Sequence, residues 1–349
     1  MKYLLICISV FLIACNNNVS NKAQKVEEVA PAELRLIGRF DKSVAGEYRF
    51  TWPGSTIEFR FEGTSAKLQM ASTRRVRFEL DVDGVKKDLW VEPGVAYYHL
   101  AEHLNPGVHQ IRLTRIIESF EIVTSVIGNP IVDKLLPAPT SPAKKLLVIG
   151  DSITAGYGVE GANKECHYAM ETSNQQLSYA AVAAKNLGAD LHAIAWSGIG
   201  AWRSYGEKTP VVPNILIRSQ RTLADDANSQ WDIAIYTPDA ILINIGTNDY
   251  WEGSVGDEYR QQMLKLINRT QEEYPAKPIY LILSPMLSGA ARESQQAVLN
   301  SLTSTTIKLL DLGKIESADG FGCDYHPNTK TNNRMAEALV KQLKIDLDW

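Results

Sequence analysis

The sequence predicts a multidomain chain, an N-terminal all-β sandwich followed by an α/β domain on a central parallel sheet. Three observations carry that expectation. Short runs that alternate apolar and polar residues recur from about Leu34 to Ile131, the period of half-buried strands. A Pro-rich stretch, Leu136-Pro137-Ala138-Pro139-Thr140-Ser141-Pro142, then reads as a stiff linker. Beyond it, apolar strand-length runs alternate with helical segments, the pattern of right-handed crossovers and a parallel sheet. At 349 residues the chain exceeds one ordinary core. The expected partition is a sandwich at 34–135, a linker at 136–143 and an α/β domain at 144–349.

The first residues stand apart from both domains. Lys2 precedes an apolar run, Tyr3 to Ala14, which is too short for a membrane span and suits a signal peptide. Leu12-Ile13-Ala14-Cys15 resembles the bacterial lipobox, which implies lipidation of Cys15 after removal of the preceding segment; cleavage near Ala14 without lipidation is the alternative. Residues 16–33 are polar and read as a tether. The expectation is an exported bacterial lipoprotein, at the cell surface, outer membrane or periplasm, reaching the membrane through its lipid. Composition agrees with a soluble body: 45% hydrophobic and 22% charged residues. The formal net charge of −4 argues against nucleic acid as a partner.

In the β half, Ile57–Phe61, Ala66–Met70 and Val76–Leu80 alternate cleanly, and Asp83-Gly84 is a hairpin signal. Pro93-Gly94 and Pro106-Gly107 mark further turns. His99, His103 and His109 read as surface or core residues, and nothing in this half looks catalytic.

The α/β half holds the chemistry. Lys145–Ile149 reads as a buried strand running into Gly150-Asp151-Ser152-Ile153-Thr154, with Gly156 and Gly158 after it. This sets the Ser152 hydroxyl at the C-terminal edge of a sheet, where open α/β folds keep reactive groups. Ala193–Gly200 is a second strand entering a glycine turn, and Ala240–Asp249 a third ending in Gly246-Thr247-Asn248-Asp249. Between the first and second strands lies an Ala-rich helix, Leu177–Leu187, stopped by Gly188. A capping-box-like start at Ser254 opens a helix with Tyr259, Met263, Leu266 and Ile267 on one face, ended by Pro275. Pro278–Leu283 is the next strand and Asn328–Leu343 the last helix.

Ser, Gly, Asn and His in this order, here Ser152, Gly198, Asn248 and His326, resemble the signature of the SGNH (GDSL-type) hydrolases. Their chemistry explains the residue types. A serine hydroxyl needs a base at neutral pH, and histidine has a suitable pKa. Acyl transfer builds charge on a carbonyl oxygen, which the Ser152 and Gly198 N–H groups and the Asn248 amide would stabilise.

Members of that family usually carry an aspartate three residues before the histidine; here that position is Cys323, with Asp324 only two before. Gly320–Pro327, Gly158-Val159-Glu160-Gly161 followed by Cys166, and Trp196–Gly200 resemble carbohydrate esterase family two, which includes members whose histidine is oriented by a backbone carbonyl. The resemblance implies a jelly-roll-like sandwich, a Ser152–His326 dyad and Asp324 as a weaker third member. In the expected fold, the loops of Cys166 and Cys323 cross the same sheet edge, so a disulfide between them is expected; two free buried cysteines are the alternative. Neither paired CxxC nor HExxH spacing occurs, so no metal or other cofactor is implied.

The expected activity is removal of O-acetyl groups from plant polysaccharide, xylan or glucomannan, with the acetylated glycan as partner. Alternatives are another ester, such as a lipid or O-acetylated peptidoglycan, or a non-catalytic glycan-binding lipoprotein. Related enzymes often carry an aromatic residue in the loop after the strand that here ends Ser284-Pro285. This chain has Met286-Leu287 there, leaving Trp202, Tyr250 and Trp251 as substitutes for sugar stacking or as core.

Overall fold

The computed structural model describes residues 34–349 apart from 211–213 and 254. Residues 1–33, on which the expected signal segment, lipidated Cys15 and tether fall, lie outside it. The sandwich strands are β1 (Arg35–Ile37), β2 (Glu47–Phe50), β3 (Thr56–Gly63), β4 (Ala66–Ser72) and β5 (Val76–Val82). They continue with β6 (Val85–Val91), β7 (Gly94–Ala101), β8 (Gly107–Arg115), β9 (Thr124–Ile131) and β10 (Lys134–Leu136). One antiparallel sheet runs β1-β3-β8-β5-β6, with β10 also on β3; the other runs β2-β9-β4-β7. Strand β3 shows why they pack: Ile57, Phe59 and Phe61 are fully buried, and Glu62, in the opposite phase, is exposed. Asp83 and Gly84 form the two-residue β5–β6 loop with positive φ at both positions, matching the strand twist. Asp83 also accepts from Gln110 N–H and pairs with His109, and His99 pairs with Glu102. These histidines brace turns.

The second domain contains β11 (Lys144–Gly150), α1 (Ser152–Ala155), α2 (Tyr179–Leu187), β12 (Ala189–Ala195), α3 (Ile215–Arg218) and β13 (Ala240–Asn244). After these come α4 (Asp257–Glu273), β14 (Ile279–Ile282), α5 (Gly289–Asn300), β15 (Ile307–Leu310) and α6 (Thr329–Leu347). The parallel sheet is ordered β12-β11-β13-β14-β15. Tyr259, Met263, Leu266 and Ile267 of α4 cover one face, while α2 and α6 cover the other. Helix α2 starts two residues later than its pattern suggests, because Asn174 caps a separate 3-10 turn at Gln175–Leu177. Helix α4 begins behind Gly256 without a side-chain cap; Ser254 is outside the described residues.

The two halves are joined by more than the linker. Trp52 of the sandwich is 1% exposed and packs into the α/β core, while its indole N–H donates to Arg221 O at 3.3 Å. Arg39, also buried, donates to the Ser219 and Arg221 carbonyls, both at 2.7 Å. Removing a side chain as large and as buried as Trp52 costs about 3–5 kcal/mol.

Candidate active site

Strand order creates the site. Gly150 at the end of β11 aligns with Ala195 of β12 on one side and Asn244 of β13 on the other. The chain leaves β11 between two neighbours whose connections diverge, the crevice where parallel sheets bind ligands. Ser152 emerges there as the first residue of α1. Asp151 caps that short helix by accepting from Ile153 N–H at 3.0 Å, and Gly156 closes it in the left-handed region. A Cβ at Gly156 would sit 2.2 Å from the Asn174 carbonyl, so only glycine fits.

Gly198 follows β12 in a turn with φ +79°. Asn248 follows β13, and its side-chain amide donates to Ile199 O at 2.8 Å and lies 3.4 Å from Asp151 Oδ2. The amide therefore spans the turns that carry Gly198 and Ser152. Behind them, burial pushes the Asp151 carboxyl up to about 7 and that of Asp249 up to about 6. Asp249 nonetheless gathers the backbone N–H groups of Ala201, Trp202 and Arg203. It ties the Gly198 turn to the β13 turn.

His326 precedes α6, whose Asn328 cap accepts from Lys330 and Thr331 N–H. Its Nε2 lies 2.8 Å from Ser152 Oγ. Its Nδ1 lies 3.1 Å from the carbonyl oxygens of both Cys323 and Asp324. Carbonyls only accept, so Nδ1 carries the proton and Nε2 presents its lone pair to the serine hydroxyl. Burial holds the imidazole down to about 4, against the pull of those two carbonyls and of the Asp324 charge.

The Asp324 carboxylate is not a third member of this array. Its backbone adopts φ +50° and ψ +44°, which directs the side chain away from the imidazole. One oxygen accepts from Tyr157 OH at 2.6 Å and the other contacts His167 Nδ1 at 2.8 Å. The backbone of Asp324 serves the histidine; its side chain serves the loop.

Cys166 and Cys323 are disulfide-bonded, with Cα atoms 4.6 Å apart. Beside the bridge, Cys323 N–H donates to Gly158 O at 3.0 Å and Asp324 N–H to Cys166 O at 2.9 Å. A Cβ at Gly158 would lie 2.6 Å from Cys323 Cβ, which accounts for that glycine.

Residues 36–139 match the carbohydrate esterase 2 N-terminal family and 148–334 the GDSL-like lipase/acylhydrolase family. A family two carbohydrate esterase from Clostridium thermocellum, solved with cellohexaose, superimposes with a TM-score of 0.86 at 31% identity, covering 91% of this chain and all of that one. The chain belongs to carbohydrate esterase family two. It is also 31% identical over 89% of its length to the cellulase/esterase CelE of Acetivibrio thermocellus, of which it spans 39%. An acetylxylan esterase / glucomannan deacetylase of Cellvibrio japonicus is 27% identical over 99% of this chain and 98% of that protein. As a member of the family, the chain is a serine carboxylic-ester hydrolase.

The aromatic residues of this esterase fall largely on the core side of the two roles left open for them. Tyr250 is 3% exposed and belongs to the core. Trp202 is half-buried against that core, and Trp251 donates to Glu207 O and packs near Tyr205. The rings at the dyad escaped the sequence reading. Tyr157 stacks on His326 with centroids 4.2 Å apart, and Tyr168 and Phe120 continue the row. Tyr325, next to the histidine, is 56% exposed. A tyrosine between the two glycines 156 and 158, one turn after Ser152, was the available signal for Tyr157.

Proposed function

We propose that this esterase removes O-acetyl groups from plant cell-wall polysaccharide, xylan or glucomannan, through an acyl-enzyme on Ser152. The Ser152 Oγ–His326 Nε2 contact of 2.8 Å carries this reading. Oγ attacks the acetyl carbonyl while Nε2 takes its proton, and the imidazolium is stabilised at Nδ1 by the Cys323 and Asp324 carbonyls. The Ser152 and Gly198 N–H groups and the Asn248 amide receive the oxyanion; losing one such donor costs about 3 kcal/mol. His326 then protonates the departing sugar hydroxyl, and water deacylates the serine by the same route in reverse. The exposed Tyr325 ring beside the histidine offers a stacking face for sugar. The names of the Cellvibrio relatives support this substrate class. Acetate release from acetylated xylan and glucomannan, set against O-acetylated peptidoglycan and p-nitrophenyl acetate, tests the reading. Preference for peptidoglycan would reject it.

Lipidation at Cys15 would place the enzyme on a membrane surface facing extracellular polymer. Palmitate labelling that is lost in Cys15→Ala tests that location.

A further inference from the structure

The sandwich sends one loop into the active-site region. Residues 116–123, between β8 and β9, carry Glu118, which is 1% exposed. Burying a carboxylate is costly unless its oxygens are satisfied. Fully buried Arg115 stands three residues away, but the two side chains do not pair. The Arg115 donors instead go to the carbonyls of Ile117, Glu118, Ser119 and Ile122 and to Thr124 Oγ1, at 2.6–3.2 Å. Arg115 thus clamps the loop backbone and leaves the Glu118 carboxylate to face the other domain. There, Oε2 accepts from Ser197 N–H at 2.9 Å and Oε1 from the Ser197 hydroxyl. Ser197 immediately precedes Gly198. A carboxylate gripping one residue through both backbone and side chain sets that residue's orientation, and through it the next peptide plane.

We propose that Glu118 of the sandwich is a positioning residue for ester hydrolysis, holding the Ser197–Gly198 turn so that the Gly198 N–H is aimed at the developing oxyanion. The inference rests on Ser152 being the nucleophile and Gly198 an oxyanion donor. It makes the sandwich a working part of the active site. Phe120 belongs to the same arm: its ring packs on Tyr168 and Trp196 at centroid distances of 5.0 and 6.2 Å, beside the turn. Glu118 faces Asp151 and Tyr168 as well as Ser197, and burial with the Asp151 charge lifts its carboxyl to about 7. The positioning role does not depend on the charge, because a neutral side chain of the same shape keeps both contacts.

The test is steady-state hydrolysis of p-nitrophenyl acetate by the full-length enzyme, with Ser152→Ala in parallel. Glu118→Ala should lower kcat about a hundredfold, the scale of a misaimed catalytic group, with KM within about threefold of wild type. Glu118→Gln accepts from Ser197 N–H and donates to its hydroxyl, so it should recover at least about tenfold over Glu118→Ala. A Glu118→Ala enzyme with wild-type kcat, a change confined to KM, or a Gln variant no better than Ala would each overturn the proposal. If Glu118→Ala does not fold, Ser197→Ala decides. Loss of its hydroxyl contact should cost about tenfold in kcat at unchanged KM, the worth of one well-made hydrogen bond, and an unchanged kcat overturns the proposal. Activity persisting in Ser152→Ala would reject the underlying site instead, whatever Glu118 does.

Discussion

The loops that carry Ser152 and His326 meet at a 2.8 Å contact, yet they are built by different means. The serine is placed by local regular structure: strand β11, an aspartate cap, one helical turn and a left-handed glycine stop. The histidine sits after a 3-10 turn in which Asp324 and Tyr325 both adopt positive φ. That backbone costs on the order of 1–3 kcal/mol per residue, and contacts with the Gly158–Cys166 loop hold it in place. The nucleophile is thus positioned by its own sequence neighbourhood, and the base by a segment more than 150 residues away.

Substitution at the locally built side should have the largest effect. Ser152→Ala replaces a small helical residue with another, so the fold should persist while turnover drops more than about a thousandfold. Retention of more than that fraction would show that the contact is not the reacting pair.

The burial of His326 predicts the next effect. Only neutral imidazole accepts the serine proton, and the folded enzyme holds this one down to about 4. As pH falls, the active form therefore survives well below the ordinary histidine range. At pH 5, kcat/KM should be about thirtyfold higher than for a histidine at the unperturbed 6.5. An acid limb centred near 6.5 would mean that the dyad is open to water.

Removing the cross-link tests the tertiary side. Replacing Cys166 and Cys323 together by alanine should cost about 2–4 kcal/mol in a urea titration and lower kcat about tenfold, as hydrogen bonds alone then hold the histidine loop. An unchanged midpoint and kcat would show that Gly158 and Cys166 carbonyl contacts suffice. Thiol titration of the mature Cys15→Ala protein, unfolded without reductant, should find none; two per chain would contradict the bridge.

The smallest change is expected at Asp324. Because its carboxylate engages Tyr157 and His167, Asp324→Ala should lose less than about tenfold in turnover. A true triad aspartate would cost about four orders of magnitude, and a loss on that scale would restore it to the histidine.

How much was legible follows the same division. Alternation along β3 to β5 and the apolar runs of β11, β13 and β14 mark strands because one or both faces of each must be buried. Strand β15 is a half-exposed edge, and its four residues leave too little pattern to read. Around the site, Gly150-Asp151-Ser152 and Gly246-Thr247-Asn248 mark themselves because their turns and caps are short-range demands on residue type. The ring on His326 left only its place between two turn glycines, and the carboxylate on Ser197 left no mark, because each meets its partner only after folding.

By itself, then, the sequence determined the two-part architecture, the family and the strand-end residues of the site, since periodicity, turn chemistry and local caps act within a few positions. The tertiary structure alone decided which groups orient His326 and what the sandwich contributes. Asp324 turns its carboxylate away because of one backbone conformation, stabilised by contacts with Gly158, Cys166 and Tyr157. Glu118 reaches Ser197, 79 positions further along the chain, because Arg115 clamps its loop and Trp52 seats the sandwich against the α/β core. Packing, rather than spacing along the chain, decides contacts at that range.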